Sequence, residues 1–173
     1  MNFKMIGRLF APILAVEAAF MLPALLISLV DGDSPAAQAF VYAIVLILVS
    51  AAGLWAWCRQ APKGFRAREG LICVGASWIL VSLFGSLPFV LSGEIPGFID
   101  ALFEIVSVFT TTGASILTQV EDMSRGMLYW RSFSHWLGGM GILVFVLAIV
   151  PISSRSGGFT LHLLRAESPG PNV

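Results

Sequence analysis

Charged side chains are scarce in this sequence. Ten Lys and Arg and ten Asp and Glu make up 12% of 173 residues and cancel to a formal net charge of zero. Soluble domains carry about 25% charged residues, so an ordinary water-soluble fold is excluded. The zero balance gives no whole-chain argument for a nucleic-acid or other polyionic partner. Cysteine is almost absent: Cys58 and Cys73 are the only two. Both fall near what reads below as the cytosolic side, where a structural disulfide is not expected, and they serve as small apolar residues. Histidine is equally rare, with His135 and His162 alone, and no cluster has metal-ligand spacing. No nucleophile–base–carboxylate set is visible, so the chain does not read as an enzyme. What is abundant is apolar: 57% of the residues, gathered in long runs. The fold class is all-α and integral to a membrane.

The first run, Leu9–Val30, is about one bilayer thickness of helix. It is longer than the apolar core of a cleaved signal, so it reads as a retained helix, kinked near Pro23. Glu17 lies within it, and a carboxylate inside a span is a functional candidate, the plainer reading being a protonated or paired group against a neighbouring helix. Asp31-Gly32-Asp33-Ser34-Pro35 is an acidic turn, with Ser34 suited to the N-cap and Pro35 to the first position of the next helix. A second span covers about Ala36–Cys58, with Trp55 and Trp57 as an interfacial belt. Residues 1–69 thus form two leading transmembrane helices and a basic loop carrying Arg59, Lys63, Arg66 and Arg68.

A third span is expected over 70–92. Gly93-Glu94-Ile95-Pro96-Gly97 breaks it, and the next apolar run, Phe98–Phe109, is only about 18 Å long as a helix. A run that short suits a re-entrant helix, with Asp100 complementing the dipole at its start. The loop 110–115 follows, then a span over 127–150 that opens with Tyr129, Trp130 and Trp136 as a second belt. The region 70–151 is one helix–short helix–loop–helix unit, and 152–173 is a tail with Arg155 and Arg165.

The charges agree on a topology. Lys4, Arg8, the 59–69 loop, Arg155 and Arg165 would be cytosolic by the positive-inside rule, and Asp31, Asp33, Glu94, Glu121 and Asp122 outside. Both ends can be cytosolic only if the number of full spans is even. The short helix must then enter and leave from the same side.

Phe109-Thr110-Thr111-Thr112-Gly113-Ala114-Ser115 is therefore a hydroxyl-rich loop at membrane depth, which is tolerated only where it lines a cavity or pore. A dehydrated cation needs a cage of oxygens, and carbonyls of Thr110, Thr111, Thr112 and Gly113 in an extended strand can supply successive rings. Threonine hydroxyls can add to the cage. Gly113 permits a positive φ. The short helix would aim the negative end of its dipole at the ion. Thr111 and Thr112 are the favoured metal ligands, with K⁺ as the metal.

These residues, with Phe103-Glu104, the stretch Tyr129-Trp130-Arg131-Ser132-Phe133-Ser134-His135-Trp136-Leu137-Gly138-Gly139-Met140-Gly141-Ile142 and the tail Leu164–Pro171, closely resemble the TrkH branch of the Trk/Ktr/HKT potassium transporters. The resemblance covers the whole chain, as the two leading helices and first pore unit of that family. It implies channel-like uptake of K⁺ in preference to Na⁺ across a bacterial inner membrane, with symport of H⁺ or Na⁺ left open. It maps the family's filter onto Thr110, Thr111, Thr112 and Gly113. It also implies a homodimer, surrounding lipid, a cytosolic nucleotide-binding regulatory subunit and no covalent cofactor. Family members carry four pore units; this sequence has one. The expectation is a fragment of a longer protein whose remaining pore units complete the filter. A short subunit forming a homotetrameric channel and a non-conducting scaffold are the alternatives.

Three further groups bear on the loop. Glu104 and Arg131 are the charges nearest it and are expected to pair and brace it. Gly138, Gly139 and Gly141 would let the last span pack closely, a hinge being the sharper alternative. His135 beside Trp136 could ligate haem, but only this histidine lies in a span, so a bis-histidine site is not evident.

Overall fold

The computed structural model describes residues 3–58 and 67–153, with side chains over 10–58 and 72–141, and these residues are helical with no strand among them. The basic residues Arg59, Lys63 and Arg66, and the tail with Arg155, His162 and Arg165, lie outside the described residues, as do the side chains of Lys4, Arg8 and Arg68.

Helix α1, Phe3–Val30, runs without interruption through Pro12 and Pro23. Helix α2, Ser34–Cys58, returns beside it, and these two helices make the most extensive pairing among the described residues. Small residues on their shared face, Ala18, Ala24, Ala36, Ala39 and Ala43, are buried and let the backbones approach. The turn between them corrects the expected cap. Asp33, not Ser34, closes α2: its Oδ1 accepts the Ala36 N–H at 3.2 Å and its carbonyl accepts that of Ala37. The carboxylate reaches the third helical N–H, which is the cap position, and moves Pro35 to the second residue of the helix.

The stretch expected as one span over 70–92 is two helices, α3 at Ala67–Gly85 and α4 at Leu87–Ser92. Pro88 explains the break, because it has no N–H for the carbonyl four residues back. The Gly85 carbonyl is recruited elsewhere, accepting Trp130 Nε1–H at 3.0 Å. Trp130 is accordingly fully buried, so it belongs to the core and not to an interfacial belt. Phe10–Val30, Ser34–Cys58 and Ile72–Ser92 are each long and apolar enough to cross a membrane.

Helix α5, Phe98–Phe109, is the short apolar run. A loop with one 3-10 turn at Val120–Asp122 leads to α6, Arg125–Ser153, whose 29 residues extend about 44 Å. Outward faces carry Val41, Val45 and Val49 on α2 and Leu22, Leu26 and Leu29 on α1, all exposed as a lipid-facing surface would be. α5 packs on α3, α4 and α6, which hold its C-terminal end inside the bundle.

Candidate functional site

The site is built where α5 stops. The Thr111 N–H donates to the Val108 carbonyl at 3.1 Å, and the Thr112 N–H to the Ser107 carbonyl at 2.9 Å. This pair of bonds is a Schellman cap, whose turning residue must be left-handed and is usually glycine. Here that residue is Thr111, at φ +55°, the one non-glycine residue with positive φ among the described residues. A β-branched side chain in this region is strained. Thr110 and Thr111 therefore complete the helix end and do not begin an extended strand, as the sequence had suggested. The chain opens out from Thr112 onward, with Gly113 at φ +76°.

This cap fixes where the loop oxygens point. The N–H groups of Thr110, Thr111, Thr112 and Gly113 all turn back onto carbonyls of the last turns of α5. In a planar trans peptide the carbonyl of the preceding residue points the opposite way. The carbonyls of Thr110, Thr111 and Thr112 thus face away from the helix, on exposed residues, and accept no hydrogen bond from the described residues. The hydroxyls are arranged to the same end. Thr110 Oγ1–H donates to the Val106 carbonyl at 2.8 Å, which leaves Thr112 Oγ1–H to donate to Thr110 Oγ1 at 2.8 Å. Both protons are occupied, and lone pairs remain.

The loop is held from beneath by Glu104. It is completely buried, yet well supplied with donors. Arg131 Nε–H reaches Oε1 at 2.7 Å, Ser115 Oγ lies 3.0 Å from both oxygens, and the Ile116 N–H donates to Oε2 at 3.0 Å. One carboxylate on α5 thereby fastens the far end of the loop and the start of α6. Ser107 adds a second tie, its Oγ–H donating to the Ala114 carbonyl at 2.5 Å. Ser107 and Ser115 were not singled out from the sequence; the available signal was a serine on an apolar twelve-residue helix and another just past the threonines.

The three glycines differ. A Cβ on Gly138 would run into the Phe109 carbonyl and backbone, so α6 touches the end of α5 directly there. A Cβ on Gly139 would meet only Thr111 Cγ2 at 3.9 Å, and one on Gly141 would press Trp78 at 3.0 Å. Tyr129 stacks on Phe133 at 5.6 Å, and Phe133 leans on Trp136, completing an aromatic strip along α6. His135 is exposed in this chain. Cys58 and Cys73 are free and buried.

The chain matches the TrkH family, described as a cation transport protein, over residues 36–170. It is 38% identical over 172 residues to the Trk system potassium uptake protein TrkH of Halomonas elongata, covering 99% of this chain and 35% of that protein. It is 35% identical over 174 residues to the TrkH protein of Escherichia coli K12, with the same two coverages. The crystal structure of the potassium transporter TrkH from Vibrio parahaemolyticus superposes with a TM-score of 0.80 at 31% identity, over 96% of this chain and 36% of that one. The chain thus spans about a third of the length of the relatives it matches. A family match over most of the chain, with the same helical fold in a solved relative, means that this chain belongs to the TrkH family of cation transport proteins.

Proposed function

We propose that the chain forms one wall of a K⁺-conducting pore, with Thr110, Thr111, Thr112 and Gly113 presenting oxygens to the ion. The observation that carries this reading is the set of unengaged carbonyls at Thr110–Thr112, turned outward by a cap that ties every neighbouring N–H back to α5. Oxygens with free lone pairs at the negative end of a helix are what a partly dehydrated monovalent cation requires. Glu104 and Arg131 hold this arrangement in place. Gly138 lets α6 close against it, while Gly141 makes room for Trp78 of α3.

One loop flanks an ion on one side only. Phe103 and Val106 on α5 and Met140 on α6 are exposed towards the loop end of these helices, and further pore units would pack there. The relatives are named for potassium uptake, which supports K⁺ as the cargo. The proposal extends to a bacterial inner membrane, with the N-terminus and tail cytosolic and α5 re-entrant from outside. A homodimeric full-length form bound to a cytosolic nucleotide-binding subunit follows from the family resemblance.

Rb⁺-tracer uptake in cells carrying the gene tests this reading. Placing a side chain in the left-handed region costs about 1–2 kcal/mol, so Gly113→Ala should lower uptake about tenfold. Unchanged uptake and ion preference would remove the loop from the pathway. The purified 173-residue chain in liposomes should give no K⁺-selective flux; such flux would mean that copies of it assemble into a ring.

A further inference from the structure

Glu17 is used by nothing described so far. It lies on α1, 3% exposed, and neither carboxylate oxygen has a hydrogen-bond partner among the described residues. Its head rests against Gly85 at the α3 break: a Cβ there would come within 3.3 Å of Oε1 and 3.2 Å of Ile105 and Phe109. The carboxylate lines a pocket of about 220 Å³, open on one side, between α1, α3, the end of α5 and α6, several times the roughly 30 Å³ share of one water in the liquid. Phe20, Trp78 and Phe109 line the same space, with Trp78 and Phe109 edge to face at 6.2 Å. Ser77 is its hydroxyl, and it already donates to the Val74 carbonyl at 2.7 Å. Among the described residues no Lys or Arg lines the pocket.

A buried carboxyl without a donor is costly, and the surroundings restrict what can relieve it. A hydrated inorganic cation needs oxygens on every side, whereas these walls are almost wholly hydrocarbon and aromatic. An organic ammonium fits. Its N–H groups donate to the orphaned oxygens, its charge lies close to aromatic side chains, which attract cations, and its alkyl body fills the apolar remainder. We infer that this cavity is a binding site for a small alkylammonium ion, with Glu17 as its counter-ion and Phe20, Trp78 and Phe109 as its walls. The site is independent of the ion path proposed above, although Phe109 joins it to the start of the threonine loop.

The test is calorimetric titration of the detergent-solubilised chain with n-butylammonium chloride, 1-butanol and KCl. Saturable binding is expected for butylammonium, about tenfold tighter than for butanol, as one charge-assisted hydrogen bond implies. Glu17→Gln should abolish that preference and leave butanol binding unchanged. Equal affinity for the amine and the alcohol, a preference that survives Glu17→Gln, or displacement of butylammonium by equimolar K⁺ would each overturn the assignment. Should Glu17→Gln lose its helical circular dichroism, Val81→Trp, which fills the cavity, replaces it as the test. Loss of butylammonium binding in that variant supports the site, and retention overturns it.

Discussion

Glu104 and Glu17 are both buried glutamates on apolar helices, 0% and 3% exposed, yet their surroundings are opposites. Glu104 accepts from a guanidinium, a hydroxyl and a backbone N–H. Glu17 accepts from none of the described residues. The first carboxylate locks a strained loop to the helices on either side of it. The second is a polar head in a hydrocarbon cavity. Burial alone therefore does not mark a structural carboxylate; the donors around it do.

The contrast is sharpest in stability. Glu104→Gln leaves the Arg131 guanidinium, 20% exposed, without its counter-charge, and should lower unfolding free energy by about 3 kcal/mol, read from thermal melts in detergent. An unchanged melt would break the picture, because the carboxylate also serves Ser115 and Ile116. Next in size is Gly138→Ala, which intrudes on Phe109, the residue common to both regions. It should cost about 2 kcal/mol as an overpacking change, while Gly139→Ala stays within about 0.5 kcal/mol; equal effects would contradict the close approach at Gly138. Glu17→Met runs the other way, with an expected gain of about 1 kcal/mol on removing an unpartnered polar head. A loss of similar size would mean that a donor reaches Glu17. The smallest effect belongs to Arg125→Ala, which breaks an exposed pair with Asp31 at 2.9 Å and should change the melt by a few tenths of a kcal/mol.

The architecture was largely legible because hydrophobic run length carries it: a twelve-residue run became the twelve-residue helix α5. Glu104 and Arg131 could be singled out as charges flanking one loop, and they lie 2.7 Å apart. The left-handed Thr111 could not be read, since a glycine two residues later offers the obvious place for positive φ. It becomes affordable only once Ser107, Ser115 and Glu104 tie the loop down, and those ties depend on the loop folding back over α5. The α3 break had its signal in Pro88. The fate of Trp130 did not, because an aromatic near a helix start looks the same whether it meets lipid headgroups or the carbonyl of Gly85.

At Gly138 two backbones meet with no side chain between them. Side chains are compliant spacers, able to rotate aside by tenths of an ångström before force reaches the main chain. Bare backbone against backbone has no such slack. A push of α6 towards α5 is delivered at once to the Phe109 carbonyl and to the peptide that begins the threonine loop. Withdrawal opens a gap too thin for water, forfeiting dispersion contacts on both sides. The joint resists motion in both directions, so the loop and this turn of α6 form one mechanical part.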